Sequence, residues 1–469
     1  MQSRVRSSSR AALAGLCASS LAVVLFASGC GNTTVSGTTS TGQNTGSAFV
    51  IGTDAPVASV VSFNATIQSI DAITSDGASV SLISGNPTID FARYNGLQTL
   101  LDMNDVPANT YTQISVTFSS ATIGYLQTQA GAAPTIQTMD AAFTTPTYTA
   151  TLANPLVVAQ TGPVGIRMDF RLDKSIQVSG GQITGQVDPV LDITAVGPND
   201  PGAYIDEFDA GVVNPALSAQ SFSIQGPHGR TFTVNVNGNT EWDNGEGLSD
   251  LTSTSIVQIS GVLDRADSTI DADEVAILSQ NGFYAAGQVT WVQPASGDAS
   301  DFQLYVRGTL PASGDGVTLG QIAQVDLSGQ EKFFIYWMHN RFTQFLFNPS
   351  TLLAGQHVAV GGSLSGAANG QALSVKRIIL RNWGFNGTVV PGSIDGGDGS
   401  FQMQVNGFAG VLIPQTVTVY TASRTSFRGG FGGVSDVSSA TTVRVVGLLI
   451  KDPTSGDSVI LARYVDNMD

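Results

Sequence analysis

Sulfur, imidazole and lysine are scarce in this chain. Its 469 residues include two Cys, at 17 and 30, and three His, at 228, 339 and 357. His339 and His357 stand 18 residues apart, and no HExxH, Cys–His or paired-His spacing occurs. Zinc hydrolases commonly bring their ligands together by such spacing, so that class is not expected. Charged residues make up 12%, about half the usual share near 25%. Only four of the 20 basic residues are Lys, against 36 acids, for a net charge of −16. A nucleic-acid protein needs a surplus of cations to replace phosphate counterions, so no nucleic-acid partner is expected. There is no G-x-S-x-G elbow and no Gly-Lys-Ser/Thr phosphate loop. Gly429-Gly430-Phe431-Gly432-Gly433 lacks a Lys and a following helix, and reads as a hairpin tip. No long amphipathic helical pattern stands out. One short helix is expected around Leu97 to Met103.

The first 29 residues read as an export signal. Arg4, Arg6 and Arg10 precede a small or apolar run that ends Leu21-Ala22-Val23-Val24-Leu25-Phe26. That run is shorter than the roughly 20 apolar residues of a spanning helix. Ala27-Ser28-Gly29-Cys30 follows, and resembles a bacterial lipobox, with Ala27 where such motifs usually carry Leu. The resemblance implies cleavage before Cys30 and lipidation of its thiol. Gly31, in place of Asp, implies export to the outer membrane. No Cys follows Cys30, so the exported part would have no intrachain disulfide. Two or three acyl chains, at about 0.8 kcal/mol per buried CH₂, would hold the protein on a membrane. Residues 30–47 are rich in Gly, Thr, Ser and Asn and read as a flexible tether, with a reach of roughly 20–25 Å. Loss of the signal leaves 17 basic residues against 36 acids, a net charge of −19.

Beyond the tether, period-two alternation predicts half-buried strands. Val164, Ile166, Met168, Phe170 and Leu172 form one apolar row. Arg167, Asp169, Arg171 and Asp173 alternate in sign opposite them, as a solvated sheet face would. Ile114, Val116 and Phe118 predict a second strand, and Val61, Phe63, Ala65 and Ile67 a third. Residues 48–197 are therefore expected to form a β-sandwich. They carry Thr53-Asp54-Ala55-Pro56 and, later, Val106-Pro107-Ala108-Asn109-Thr110-Tyr111-Thr112. The pair resembles an uncharacterised family of bacterial exported domains that open with Thr-Asp-Ala-Pro and later carry Val-Pro-Ala-Gly-x-Tyr-Thr. The resemblance implies an envelope location and no established activity. Asn109 replaces the family's Gly, and Asn also tolerates the left-handed backbone of a tight turn. Asp54 reads as a turn former.

The Gly197-Pro198-Asn199-Asp200-Pro201-Gly202 segment reads as a linker. After it a pattern recurs three times. Val257-x-Ile259-x-Gly261-x-Leu263, Val358-x-Val360-x-Gly362-x-Leu364 and Val443-x-Val445-x-Gly447-x-Leu449 lie 101 and 85 residues apart. Each follows a strand that begins with Phe222, Phe302 or Phe401, and each precedes a final apolar strand. Three small β-units are expected, at 203–280, 281–381 and 382–469. Their shared Gly marks a bulge where a strand turns a barrel corner. A five-stranded barrel of OB type fits the length. The units also resemble a second uncharacterised family of small bacterial β-domains, with Leu353, Gly355, Val358, Val360 and Gly362 matching best. The expected fold is thus all-β, an N-terminal sandwich followed by three small OB-like barrels.

Candidate sites are few. Phe333-Phe334-Ile335-Tyr336-Trp337-Met338 is the densest aromatic stretch. A small barrel buries one face of such a strand. The other face, with Phe334 and Tyr336, and neighbouring Trp337 would either form a seam between units or meet a sugar or peptide. Asp264, Asp267 and Asp271, beside Asp273 and Glu274, and the Asp395-Gly396-Gly397-Asp398 loop supply hard oxygen donors. Calcium is the metal they would take, although neither loop has the EF-hand order and solvated turns are the simpler reading. No other cofactor is expected. His228 and His357 read as loop histidines. The expected role is non-catalytic display, adhesion or interaction at the cell envelope, with the membrane and a glycan or envelope protein as partners. The alternatives are carbohydrate binding through aromatics and a glycoside hydrolase that uses two carboxylates alone.

Overall fold

The computed structural model describes residues 45–469 apart from 56–59, 95–96, 98, 130–131, 160–163, 180–181, 198–203, 227–228, 265–268, 311–316, 336–341, 364–372, 406–415, 440–441 and 469. Strands dominate. The longest helical element among the described residues is the six-residue 3-10 segment Val434–Ser439.

The N-terminal module is a sandwich of two sheets. One has the order Leu191–Val196, Val164–Arg171, Thr45–Ala55, Thr99–Pro107. The other is built on the long antiparallel pair Val60–Thr74 and Asn109–Gln129. Val50 and Ile166 from the first sheet share one core with Phe63, Ile67, Ile114 and Phe118 from the second. Phe170 sits at its centre, with ring centroids of Phe63 and Phe91 at 5.1 Å and Phe118 at 5.3 Å. The apolar row from Val164 to Leu172 is buried as its alternation predicts. The opposite face is less wet than its charges suggest. Arg167, Asp169 and Arg171 are half-buried, and burial raises the Asp169 carboxyl above its usual range against the pull of Arg444 in the last barrel. The Val-Pro-Ala-Asn-Thr-Tyr segment closes on itself, with the Tyr111 hydroxyl donating to the Pro107 carbonyl at 2.8 Å.

Three further sheets follow, each closing into a five-stranded barrel. The first uses Tyr204–Ser218, Ser221–Gln225, Thr231–Asn235, Ile256–Asp264 and Thr269–Ser279. The second uses Phe283–Gln293, Asp301–Leu310, Ile322–Asp326, His357–Ser363 and Leu373–Arg381. The third uses Trp383–Val389, Ser400–Val405, Thr416–Tyr420, Val443–Lys451 and Ser458–Asn467. In each, the order around the barrel is third, second, first, fourth, fifth. The third and fifth strands then pair in parallel to close it, as at Val234↔Ile270, Val325↔Leu373 and Val419↔Ile460. This is the OB strand order. A short extra strand (Glu241–Trp242, Lys332–Ile335 or Ser426–Arg428) lies parallel to the remainder of each fifth strand.

The repeated Gly has the expected cause. The register between fourth and fifth strands slips at Gly261, Gly362 and Gly447. A Cβ at these positions would collide with the carbonyl oxygens of Asp271, Ser374 and Leu461. The close backbone approach that turns the corner therefore admits no side chain.

One local expectation fails. Residues 99–107 form a strand, not a helix. Leu101 faces the sandwich core while Leu100 and Met103 enter the core of the first barrel. A strand buried on both faces loses its alternation, and its apolar spacing then imitates a helix. The backbone of Asp54 lies in the strand Thr45–Ala55, opposite Phe170, and its side chain and residues 56–59 lie outside the described residues.

Candidate functional site

The densest buried charge lies where the sandwich meets the first two barrels. The first strand of the first barrel carries Asp206-Glu207-Phe208-Asp209. Its pairing with the fourth strand slips between Ile205 and Phe208, so Phe208 enters the barrel core while Asp206 and Glu207 are buried. Arg381, fully buried at the end of the fifth strand of the second barrel, reaches them. Its Nη2 donates to Glu207 Oε2 at 2.7 Å and Asp209 Oδ1 at 3.2 Å, and its Nη1 to the Tyr284 hydroxyl at 3.0 Å. Arg93, from the 3-10 turn Phe91–Tyr94 of the sandwich, pairs with Asp209 from the other side. The Tyr284 hydroxyl also donates to Asp209.

A second set of contacts runs beside this one. Arg307 of the second barrel pairs with Asp90 of the sandwich at 3.4 Å, and its guanidinium lies 4.5 Å from the ring centroid of Trp383 in the third. The Tyr305 hydroxyl donates to Ser62 Oγ at 2.5 Å. The third barrel is tied to the first through Tyr464, whose hydroxyl donates to Asp206 at 3.0 Å, and through Arg463–Glu274 at 3.1 Å.

The electrostatics follow from burial. Desolvation pushes the Glu207 carboxyl up to about 7 against the pull of Arg381. Asp209 is equally buried, but Arg381, Arg93 and the Tyr284 hydroxyl together hold it below the usual carboxylate range. Burial raises Asp90 despite Arg307, and raises the Tyr284 phenol. Burial and the nearby Arg381 drive the His357 imidazole well below its ordinary value, so it is neutral.

Two clefts open beside these contacts. One, of about 520 Å³, lies between the sandwich and the first two barrels, lined among others by Asp90, Arg93, Asp209, Tyr284, Arg307 and Leu319. The other, of about 470 Å³, lies between the first and second barrels, lined among others by Glu246, Asn281, Lys332, Phe334, Lys376 and Arg377. Both volumes are in the range that holds small ligands.

The residues singled out from the sequence are scattered. Cys30 lies outside the described residues, as do Tyr336, Trp337, Asp267, His228 and His339, and the side chain of Asp264. Phe334 is described. It is half-buried, stacks with the Arg377 guanidinium at 4.7 Å and packs on the apolar seam between the first two barrels. Asp271 lies exposed on a strand and accepts from Asn235 at 2.9 Å, while Glu274 is committed to Arg463. Asp395 Oδ1 accepts from the amides of Gly397 and Asp398 at 2.9 and 3.1 Å, which makes it a turn former. Among the described residues no group of three or more His, Cys, Asp or Glu is placed to hold a metal. His357 is no loop residue. It begins a strand, is 1% exposed, and its Nδ1 lies 3.0 Å from the Asn382 carbonyl with the Trp383 ring 5.0 Å away.

Glu207, Asp209, Tyr284 and Arg381 are not among the residues that the sequence pattern singles out. The available signal was three acids in four residues on an otherwise apolar strand, with an Arg ending the apolar run Ile378-Ile379-Leu380. Such charges have no solvated face to occupy.

Comparison with known families agrees with the modular layout. Residues 45–187, the bulk of the sandwich, match the model of a domain of unknown function (DUF4382). Residues 210–276, within the first barrel, match that of a second domain of unknown function (DUF5666). No curated protein matches the chain. Over its sandwich and its first barrel the chain is thus similar to two domain families of unknown function.

Proposed function

We propose that this chain is a non-catalytic interaction protein of the bacterial cell envelope, held to the outer membrane by lipid on Cys30 and the 30–47 tether. The supporting observation is the Arg381 network. Its carboxylates are engaged by arginines from two other modules, which suits a clamp that fixes the modules around the junction clefts. Removing one partner of a buried ion pair costs about 3–5 kcal/mol, so the clamp resists opening.

A second reading is carbohydrate binding. Phe334 supports it, as a half-buried ring at a cleft rimmed by amide and charged side chains. Aromatic faces hold the CH faces of sugars, and amides bond their hydroxyls. The raised Glu207 beside the lowered Asp209 is also the pattern of a catalytic acid and base. Both are spent on Arg381, however, and product release is not expected. A glycan array probed with the full-length chain in mild detergent, followed by analysis of the captured glycans for cleavage, tests all three. Retention without cleavage fits the carbohydrate reading. Cleaved products would overturn the non-catalytic role.

A further inference from the structure

The cleft between the first two barrels is cationic in a chain that is strongly acidic. Two of the four lysines, Lys332 and Lys376, line it together with Arg377. Glu246 is the acid among its lining residues, so they carry a net charge of +2. The strand pairing accounts for the placement. Lys332–Ile335 lies parallel to the fifth strand of the second barrel in the register Lys332↔Arg377 and Phe334↔Ile379. Lys332 and Phe334, two residues apart, therefore share a face with Arg377.

Arg377 is nine-tenths buried and lines the cleft, yet its Nε has no partner among the described residues. Its Nη2 donates to Glu246 Oε1 at 2.6 Å, while Glu246 Oε2, also buried, is likewise unpartnered among the described residues. A buried donor and a buried acceptor left open cost free energy unless a ligand or water completes them. Gln280, Asn281 and Gln330 add amide groups at the rim. Phe334 supplies an apolar face already stacked on Arg377.

We infer that this cleft binds an acidic sugar, a uronic-acid-bearing oligosaccharide of about two residues. The inference rests on the carbohydrate reading and names its ligand class. Lys332, Lys376 and Arg377 meet the carboxylate. The amides of Gln280, Asn281 and Gln330 meet hydroxyls, and Phe334 packs on the ring. A volume of about 470 Å³ is large enough for such a ligand.

The test is titration calorimetry on the full-length chain in mild detergent, with a digalacturonate and the neutral digalactoside of the same linkage. The acidic sugar should bind, and more weakly as salt rises. Lys332→Gln and Lys376→Gln should each weaken it about tenfold, the usual loss for one charge-assisted contact. Both lysines are exposed, so melting should stay unchanged. Phe334→Ala should abolish binding. Equal or tighter binding of the neutral sugar would overturn the acidic-ligand inference and leave the carbohydrate reading standing. Binding of neither sugar, alongside an array without hits, would overturn both. Full competition by inorganic phosphate at equal concentration would reduce the cleft to a general anion site and also overturn the inference.

Discussion

Replacing Arg381 with Met tests how the modules are held. The guanidinium is fully buried and makes bonds to Glu207, Asp209 and Tyr284. Met fills much of the volume but leaves two buried carboxylates with less positive charge. Loss of one partner from such a pair costs about 3–5 kcal/mol. Two features reduce that here. Asp209 keeps Arg93 and the Tyr284 hydroxyl, and Glu207, already raised to about 7, escapes part of the penalty by taking up a proton. A loss of about 3 kcal/mol at neutral pH is therefore expected, and it should grow as pH rises above 7 and Glu207 can no longer stay neutral. Urea unfolding followed by tryptophan fluorescence reads it, since Trp242, Trp291 and Trp383 all lie in the barrels. Adding Glu207→Gln to Arg381→Met should recover most of the loss, because Asp209 keeps Arg93 and no unpaired carboxylate then remains buried. A change below about 1 kcal/mol for the single variant, the value of an exposed pair, would refute the clamp.

Three other outcomes follow from the same structure. Glu207 is raised from 4.5 to about 7, so the folded chain binds an extra proton between those values, and stability should fall as pH rises through that window. Glu207→Gln should flatten this fall in pH-dependent denaturation, and an unchanged slope would refute the assignment. A calcium chelator should leave the melting temperature unchanged, because Asp395 is spent on its own loop and Glu274 on Arg463. A shift of several degrees would restore the acidic loops as a metal site. Cys30→Ser should move the protein from the membrane fraction to the soluble one, and retention on membranes would remove the lipid anchor.

What could be read from the sequence, and what could not, divides along physical lines. The barrels were legible because a backbone collision forbids any side chain at Gly261, Gly362 and Gly447. A constraint of that kind leaves the same mark in each unit. The sandwich row from Val164 to Leu172 was legible because one face is buried and period two survives. Leu97 to Met103 misled because both faces are covered. The charged junction was illegible for a different reason. Arg93 and Asp209 are 116 residues apart, and Glu207 and Arg381 are 174 apart, so no local period relates them. His357 gave no sign of burial, since its partners Asn382 and Trp383 come from the start of the next barrel.

Calorimetry of the full-length chain is the most direct check that the four modules act as one clamped body. A single cooperative transition, with calorimetric and van't Hoff enthalpies in agreement, is the predicted result for the described modules. Separate endotherms for sandwich and barrels, unchanged in Arg381→Met, would contradict it.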